Sequence, residues 1–334
     1  MLKKTLLLGL TLSFAMATAI SAYAADKVSI FYIPKNTGNP YFDSIVKGFQ
    51  DGCAKLGCDF ATDAPASADA TSQIPYITAQ VQRGVSVIAI SPNSPDALNQ
   101  VLDRARQRGT LVLAVNGDLV DNYQHRDAGI LPVDFTKTGP GQVELLGSEI
   151  GYAGDIAILS ATTDAPDQNT WIAAMKDALA NNPKYAKMHL LTIAYGNDDP
   201  QKSTTEMEAL IQKYPTLKGV ISPTTVGVAA AAQVLETSGK AKDITLTGLG
   251  TPNQMRPFVK DGTVKAFQLW SPYNEGLLAA YFAVGVKNGT IKNTVGTTFD
   301  VPGVGTATIG PNNVINTQAQ LTTFDASNID QFNF

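Results

Sequence analysis

Two histidines and two cysteines are the only imidazoles and thiols in the 334-residue chain. His125 and His189 stand far from each other and from both cysteines, so no zinc-ligand spacing exists. No G-x-S-x-G elbow occurs, although spacing alone leaves a Ser-His-Asp arrangement open. His125-Arg126-Asp127 stands without any other kinase signature, and TGPGQVELLG (138–147) lacks the full G-x-G-x-x-G register. That segment reads as a hinge or turn. Charge is also sparse: 16% of residues, 25 basic against 29 acidic. With no basic excess, neither nucleic acid nor an anionic membrane is an expected partner.

Long apolar runs are missing too, save one at the start. MLKKTLLLGLTLSFAMATAISAYAADK has a two-lysine head, an apolar stretch diluted by Ala and Ser, and Ala22-Tyr23-Ala24 before the first acid. This is the pattern of a secretory signal peptide cut after Ala24, residues 1–24. No cysteine follows it where a lipid anchor would need one, so a free mature chain in a Gram-negative periplasm is expected. Without Lys3 and Lys4 the balance becomes 23 basic to 29 acidic. The remaining length suits about two domains. The two cysteines fall in FQDGCAKLGCDF. If Gly57 ends a helix in the left-handed conformation, Cys53 and Cys58 occupy positions that a Schellman cap brings together, making a disulfide plausible in an oxidising compartment.

What the chain does have is alternation. Apolar strand-like runs recur at 28–33, 85–90, 111–115, 155–159, 189–195, 218–222, 243–249 and 264–270. Near-continuous apolar strands are what a parallel sheet covered on both faces requires. Helical patterns fall between them, near 71–83, 94–108, 138–152, 168–181, 201–213, 225–237 and 273–287. The first helix is the clearest: Asn39 can cap, Pro40 suits the first turn, and Phe42, Ile45, Val46, Phe49, Cys53 and Leu56 share a face. The fold class expected is α/β, doubly wound, in two halves, the second beginning near Asp134.

In open α/β sheets ligands lie beyond the carboxyl ends of the strands. There the chain is polar: PKNTGNPYF, SPNSPDA, NGD, TTDAPDQN, YGND, SPTT, GTPNQ and WSPYN. Lys35 offers three donors; Asn39, Asn116 and Gln168 offer both donor and acceptor; Asp118 and Asp167 accept strongly. Such groups match sugar hydroxyls, and Tyr41, Phe42 and Trp270 offer apolar faces to a ring. Plainer readings stand beside these: Phe42 as core, Lys35 as a solvated charge, Trp171 as core, and Asp167 as a helix N-cap. ATTDAPDQNTW (161–171) also raises an enzymatic reading, with Asp164 and Asp167 as a carboxylate pair for sugar hydrolysis.

KNTGNPYF, ISPNSPDALNQVLDRARQRG, TTDAPDQNTW, SPTTVGVAAAAQ, GLGTPNQMRPFVKDGTVKAFQLW and the terminal FDASNIDQF together resemble one family. It is the periplasmic sugar-binding proteins of ABC transporters, the type I, ribose-binding-like group, and within it the rhamnose-binding proteins and autoinducer-2 receptors. The resemblance implies two Rossmann-like lobes joined by three hinge crossings, near 134–135, 250–251 and 269–271. The first lobe would comprise 25–134 plus 251–269, the second 135–250 plus 270–334. It implies ligand contacts at Lys35, Asp167, Gln168, Pro223 and Thr225, with Tyr41 and Phe42 as aromatic contacts and Trp270 at a hinge position. It implies an ABC permease as partner, a chemoreceptor as a further possible one, a monomer, no cofactor and no catalysis. Both groups carry an acid where this chain has Asn116, which points to a changed hydroxyl pattern in the ligand.

Overall fold

The structure, a computed structural model, describes residues 27–334; the signal peptide expected at 1–24 lies outside them. The first lobe starts with β1 (Ser29–Ile33), α1 (Pro40–Leu56), β2 (Asp59–Thr62), α2 (Ile74–Arg83), β3 (Val87–Ile90), α3 (Asn99–Gln107), β4 (Leu111–Val115) and β5 (Ala128–Leu131). The second holds α4 (Phe135–Ile150), β6 (Ala153–Ser160), α5 (Pro166–Asn181), β7 (Lys187–Tyr195), α6 (Pro200–Lys213), β8 (Leu217–Ser222), α7 (Thr225–Ser238), β9 (Thr245–Gly248), α8 (Pro252–Lys260) and β10 (Ala266–Leu269). The chain then returns with α9 (Pro272–Lys287), β11 (Thr298–Val301), β12 (Gly305–Thr308) and β13 (Val314–Asn316), and ends beside the second lobe with β14 (Thr322–Asp325).

The first sheet is parallel in the order β13-β5-β4-β3-β1-β2. Its central strands are buried throughout because helices cover both faces, and every residue of VIAI in β3 and LVLAV in β4 is buried. The second sheet runs β7-β6-β8-β9, all parallel. A single bridge, Leu249 to Gln268, joins it to β10, which pairs antiparallel with β14. Both lobes thus repeat one doubly wound order.

Helix α1 begins as its residues dictate. Asn39 is extended and accepts from Tyr41 N at 3.1 Å, and Pro40 opens the first turn. Gly57 ends the helix at φ 74°, with its N–H and that of Cys58 both on Cys53 O. Cys53 and Cys58 are disulfide-bonded across that cap, with Cα atoms 4.6 Å apart. Against α1 lies α9, so close that a Cβ on Gly276 would fall 2.0 Å from Ile45 O. Residues 138–147 are not a hinge or turn but the body of α4. Asp134 caps that helix by accepting from Thr136 N at 3.0 Å, and Gly139 lets α5 approach.

The lobe boundaries need two corrections. Residues 251–269 belong with the second lobe: α8 packs on α7, Arg256 donates to the Ile329 carbonyl, and β10 joins β9 and β14. Most of 270–316 belongs with the first: α9 packs on α1, and β13 pairs with β5. The crossings therefore lie at 132–134, 270–271 and 317–321, and none at 250–251. Strand-helix alternation continues unbroken through a change of sheet, so period alone does not say which sheet a strand enters.

Candidate functional site

The carboxyl ends of both sheets face one cavity between the lobes. Each wall is set by local chain chemistry. The loop after β1 brings Lys35 and Asn39, and the first turn of α1 brings Tyr41 and Phe42. Asn116 ends β4 at φ 70°, a left-handed conformation that Asn tolerates better than most residues. From the second lobe come Asp167, Gln168 and Trp171 on α5, Asp198 after β7, and Pro223, Thr224 and Thr225 at the start of α7. Leu249, Leu269 and Trp270 close the hinge side.

Ten of the eleven residues expected to bind ligand line this cavity: Lys35, Asn39, Tyr41, Phe42, Asn116, Asp167, Gln168, Pro223, Thr225 and Trp270. Asp118 does not. Arg126 grips both its oxygens at 2.6 Å, while Arg126 Nη1 donates to Asn312 O at 2.7 Å. The side chain of Asp118 is spent on holding the first lobe to the segment before β13. Asp167 is not the N-cap of α5; Ala165 is, and Asp167 lies inside the first turn with Oδ1 accepting from Gln168 N at 3.0 Å. Asp164 is exposed and outside the cavity, so the two carboxylates do not converge on one substrate.

The polar contacts cross the cleft. Lys35 Nζ of the first lobe lies 2.7 Å from both oxygens of Asp167 in the second and 3.4 Å from Gln168 Oε1, with Lys35 and Asp167 both buried. Thr225 Oγ1 donates to Asn39 Oδ1 at 3.2 Å, and Asn36 Nδ2 to Asp198 O at 3.4 Å. Aromatic edges build the other side: Tyr41 meets Phe42 and Trp270, Trp270 meets Trp171, and Trp171 meets Phe135, with ring centroids 5.1–6.4 Å apart. Trp171, expected to be core, is buried yet lines the cavity, and its indole N–H has no protein partner.

Two acids went unread in the sequence. Asp198 lies in YGND, a polar strand end, but nothing set it above its neighbours. Its carboxylate takes a hydrogen bond from Thr224 Oγ1, and burial raises its pKa while nearby Lys35 opposes that. Glu275 had no signal at all, lying in a helix with apolar residues on every side. It is fully buried behind the cavity wall, with Oε1 2.6 Å from Tyr41 Oη. Burial pushes its carboxyl well above the usual range, against the lowering effect of the neighbouring Tyr41 and Trp270 polar groups. Burial likewise pushes up the Tyr41 phenol. Among the described residues no group of three or more His, Cys, Asp or Glu side chains could hold a metal ion.

Two doubly wound lobes of one strand order, three crossings and a closed polar-aromatic cleft define a type I periplasmic binding protein fold. The periplasmic binding protein domain model matches residues 30–291, and the chain belongs to that family. A sugar ABC transporter protein of Actinomyces odontolyticus, known by crystal structure, is 39% identical with a TM-score of 0.73, covering 92% of this chain and 97% of its own. A solute-binding protein of Clostridium phytofermentas, solved with L-rhamnose bound, is 32% identical with a TM-score of 0.86, covering 91% and 98%. The D-ribose/D-allose-binding protein of Pseudomonas aeruginosa is 23% identical over 262 residues, 76% of this chain and 80% of that protein.

Proposed function

We propose that this protein captures a small neutral sugar, a rhamnose-like deoxyhexose, a pentose or a polyol, between its lobes and delivers it to an ABC import permease. Sugar-binding proteins of ABC importers are what its relatives are, and none of those compared is an enzyme. The observation that carries the reading is the Lys35–Asp167–Gln168 cluster, built from both lobes on one side of a cavity whose other side is aromatic. A ligand touching both lobes stabilises the closed form, so capture is a population shift that the permease reads. No bond is made or broken. The place of work is the periplasm, and the protein acts as a monomer, with a chemoreceptor as a second reader of closure.

An autoinducer-2 receptor is the second reading, favoured by the same Lys35, Asp167 and Gln168 and opposed by Asn116 in place of an acid. A thermal-shift screen with L-rhamnose, D-ribose, D-xylose, common hexoses, polyols and autoinducer-2 separates them. Ligand at about 100 times its Kd adds about 2.7 kcal/mol of stability. A flat response to every sugar and polyol would sink the sugar reading.

A further inference from the structure

Tyr41 Oη, on the cavity wall, has three polar neighbours: Trp270 Nε1 at 2.6 Å, Asn116 Oδ1 at 2.5 Å and Glu275 Oε1 at 2.6 Å. An indole N–H can only donate, so it takes one lone pair of the phenol oxygen. One phenolic hydrogen is left for two facing oxygens. If it went to a Glu275 carboxylate, Asn116 would have to turn its NH₂ toward Tyr41. Glu275 would then hold a full charge in a site with no exposure, with no cation paired to it among the described residues and with Oε2 lacking any partner. Burying a charge so poorly compensated is strongly unfavourable. With a proton on Oε1 instead, Glu275 donates to Tyr41, Tyr41 donates to Asn116 Oδ1, and every hydrogen has an acceptor.

We propose that Glu275 is a neutral acid that positions Tyr41 and Asn116, so that the hinge side of the cavity offers ligand the Asn116 NH₂ as donor and Trp270 only as an apolar face. The inference deepens the sugar reading and rests on it for the ligand's identity. Its consequence is a specificity rule. The ligand must bring an acceptor, such as a ring oxygen or a hydroxyl lone pair, to Asn116, while the Asp167 side asks for hydroxyl donors. A relative with an acid at the Asn116 position would ask for a donor at both ends.

The titratable groups facing Glu275 are Tyr41 on α1, Tyr32 on β1 and Asp167 on α5; burial and the Asp167 charge both favour the neutral acid. Carbon-13 NMR of glutamate-labelled protein tests this without any sugar. The carboxyl resonance lost in Glu275→Gln should sit at the protonated-acid position at pH 7 and stay there up to pH 8. Titration of that resonance in the ordinary carboxylate range overturns the proposal. Calorimetry with L-rhamnose, D-ribose and D-arabinose then tests positioning. Glu275→Gln, whose amide N–H can still donate to Tyr41, should keep affinity within about threefold. Glu275→Leu and Asn116→Asp should each lose about tenfold or more. A loss in Glu275→Gln equal to that in Glu275→Leu overturns the positioning role. If wild-type protein binds no sugar, the function fails, while the NMR result still decides the state of Glu275.

Discussion

Asp167 and Asp164 lie three residues apart yet meet different physics. Asp167 is buried on Lys35; Asp164 is exposed beyond the helix start. Asp167→Ala is therefore expected to abolish the sugar-induced rise in melting temperature, and Asp164→Ala to leave it intact. Equal effects in a thermal-shift series would show that the ligand lies elsewhere. Glu149 on α4 gives a second prediction at this scale. Burial raises its carboxyl to about 7, partly offset by Lys265. The folded pKa lies above the unfolded one, so the stability that this group contributes is complete below about pH 4.5 and is lost as pH rises through about 7. Glu149→Gln should leave denaturation at pH 4 nearly unchanged relative to wild type, gain on it from about pH 4.5 to about 7, and hold that gain level up to pH 8. A constant difference across that range would show that Glu149 titrates normally.

The contact of α1 with α9 joins the two ends of the first lobe's sequence. Gly276→Ala would press a methyl against Ile45 O, a backbone atom that cannot rotate away, and should cost about 3 kcal/mol in urea denaturation. A loss under about 1 kcal/mol would mean that the helices separate freely. The Cys53–Cys58 bond closes a short loop at the end of α1. Replacing both by Ser should cost about 2 kcal/mol, and reductant should lower wild-type stability by a like amount and spare the variant. The elements best read from sequence were those buried on both faces, where apolar runs such as LVLAV report a covered strand directly. Strand β2, DFAT, is a mostly exposed edge, and β11 and β12 form an outlying hairpin, so no run of apolar residues marked them. Trp171 is core as expected, and its second role on the cavity wall was not legible because a helix's apolar stripe looks the same whether it meets core or cavity. Glu275 was missed because its partner Tyr41 lies 234 residues away.

Closure of the whole molecule rests on few cross-lobe polar contacts: Lys35 with Asp167 and Gln168, Thr225 with Asn39, and Asn36 with the Asp198 carbonyl. The ion pair is the strongest of them, and removing one partner would leave a buried charge, a defect of about 3–5 kcal/mol if the lobes stayed shut. They need not stay shut. Three short crossings outside regular helix and strand allow the lobes to part, and an opened cleft returns Lys35 to water at far less cost. The energy missing from Asp167→Ala should thus appear as opening and not as unfolding. Small-angle scattering is expected to show wild type compact with sugar, and Asp167→Ala expanded and indifferent to sugar, while its melting temperature falls only slightly. If Asp167→Ala stays as compact as liganded wild type and melts far lower, the lobes are locked by their packing, and the Lys35–Asp167 pair does not govern closure.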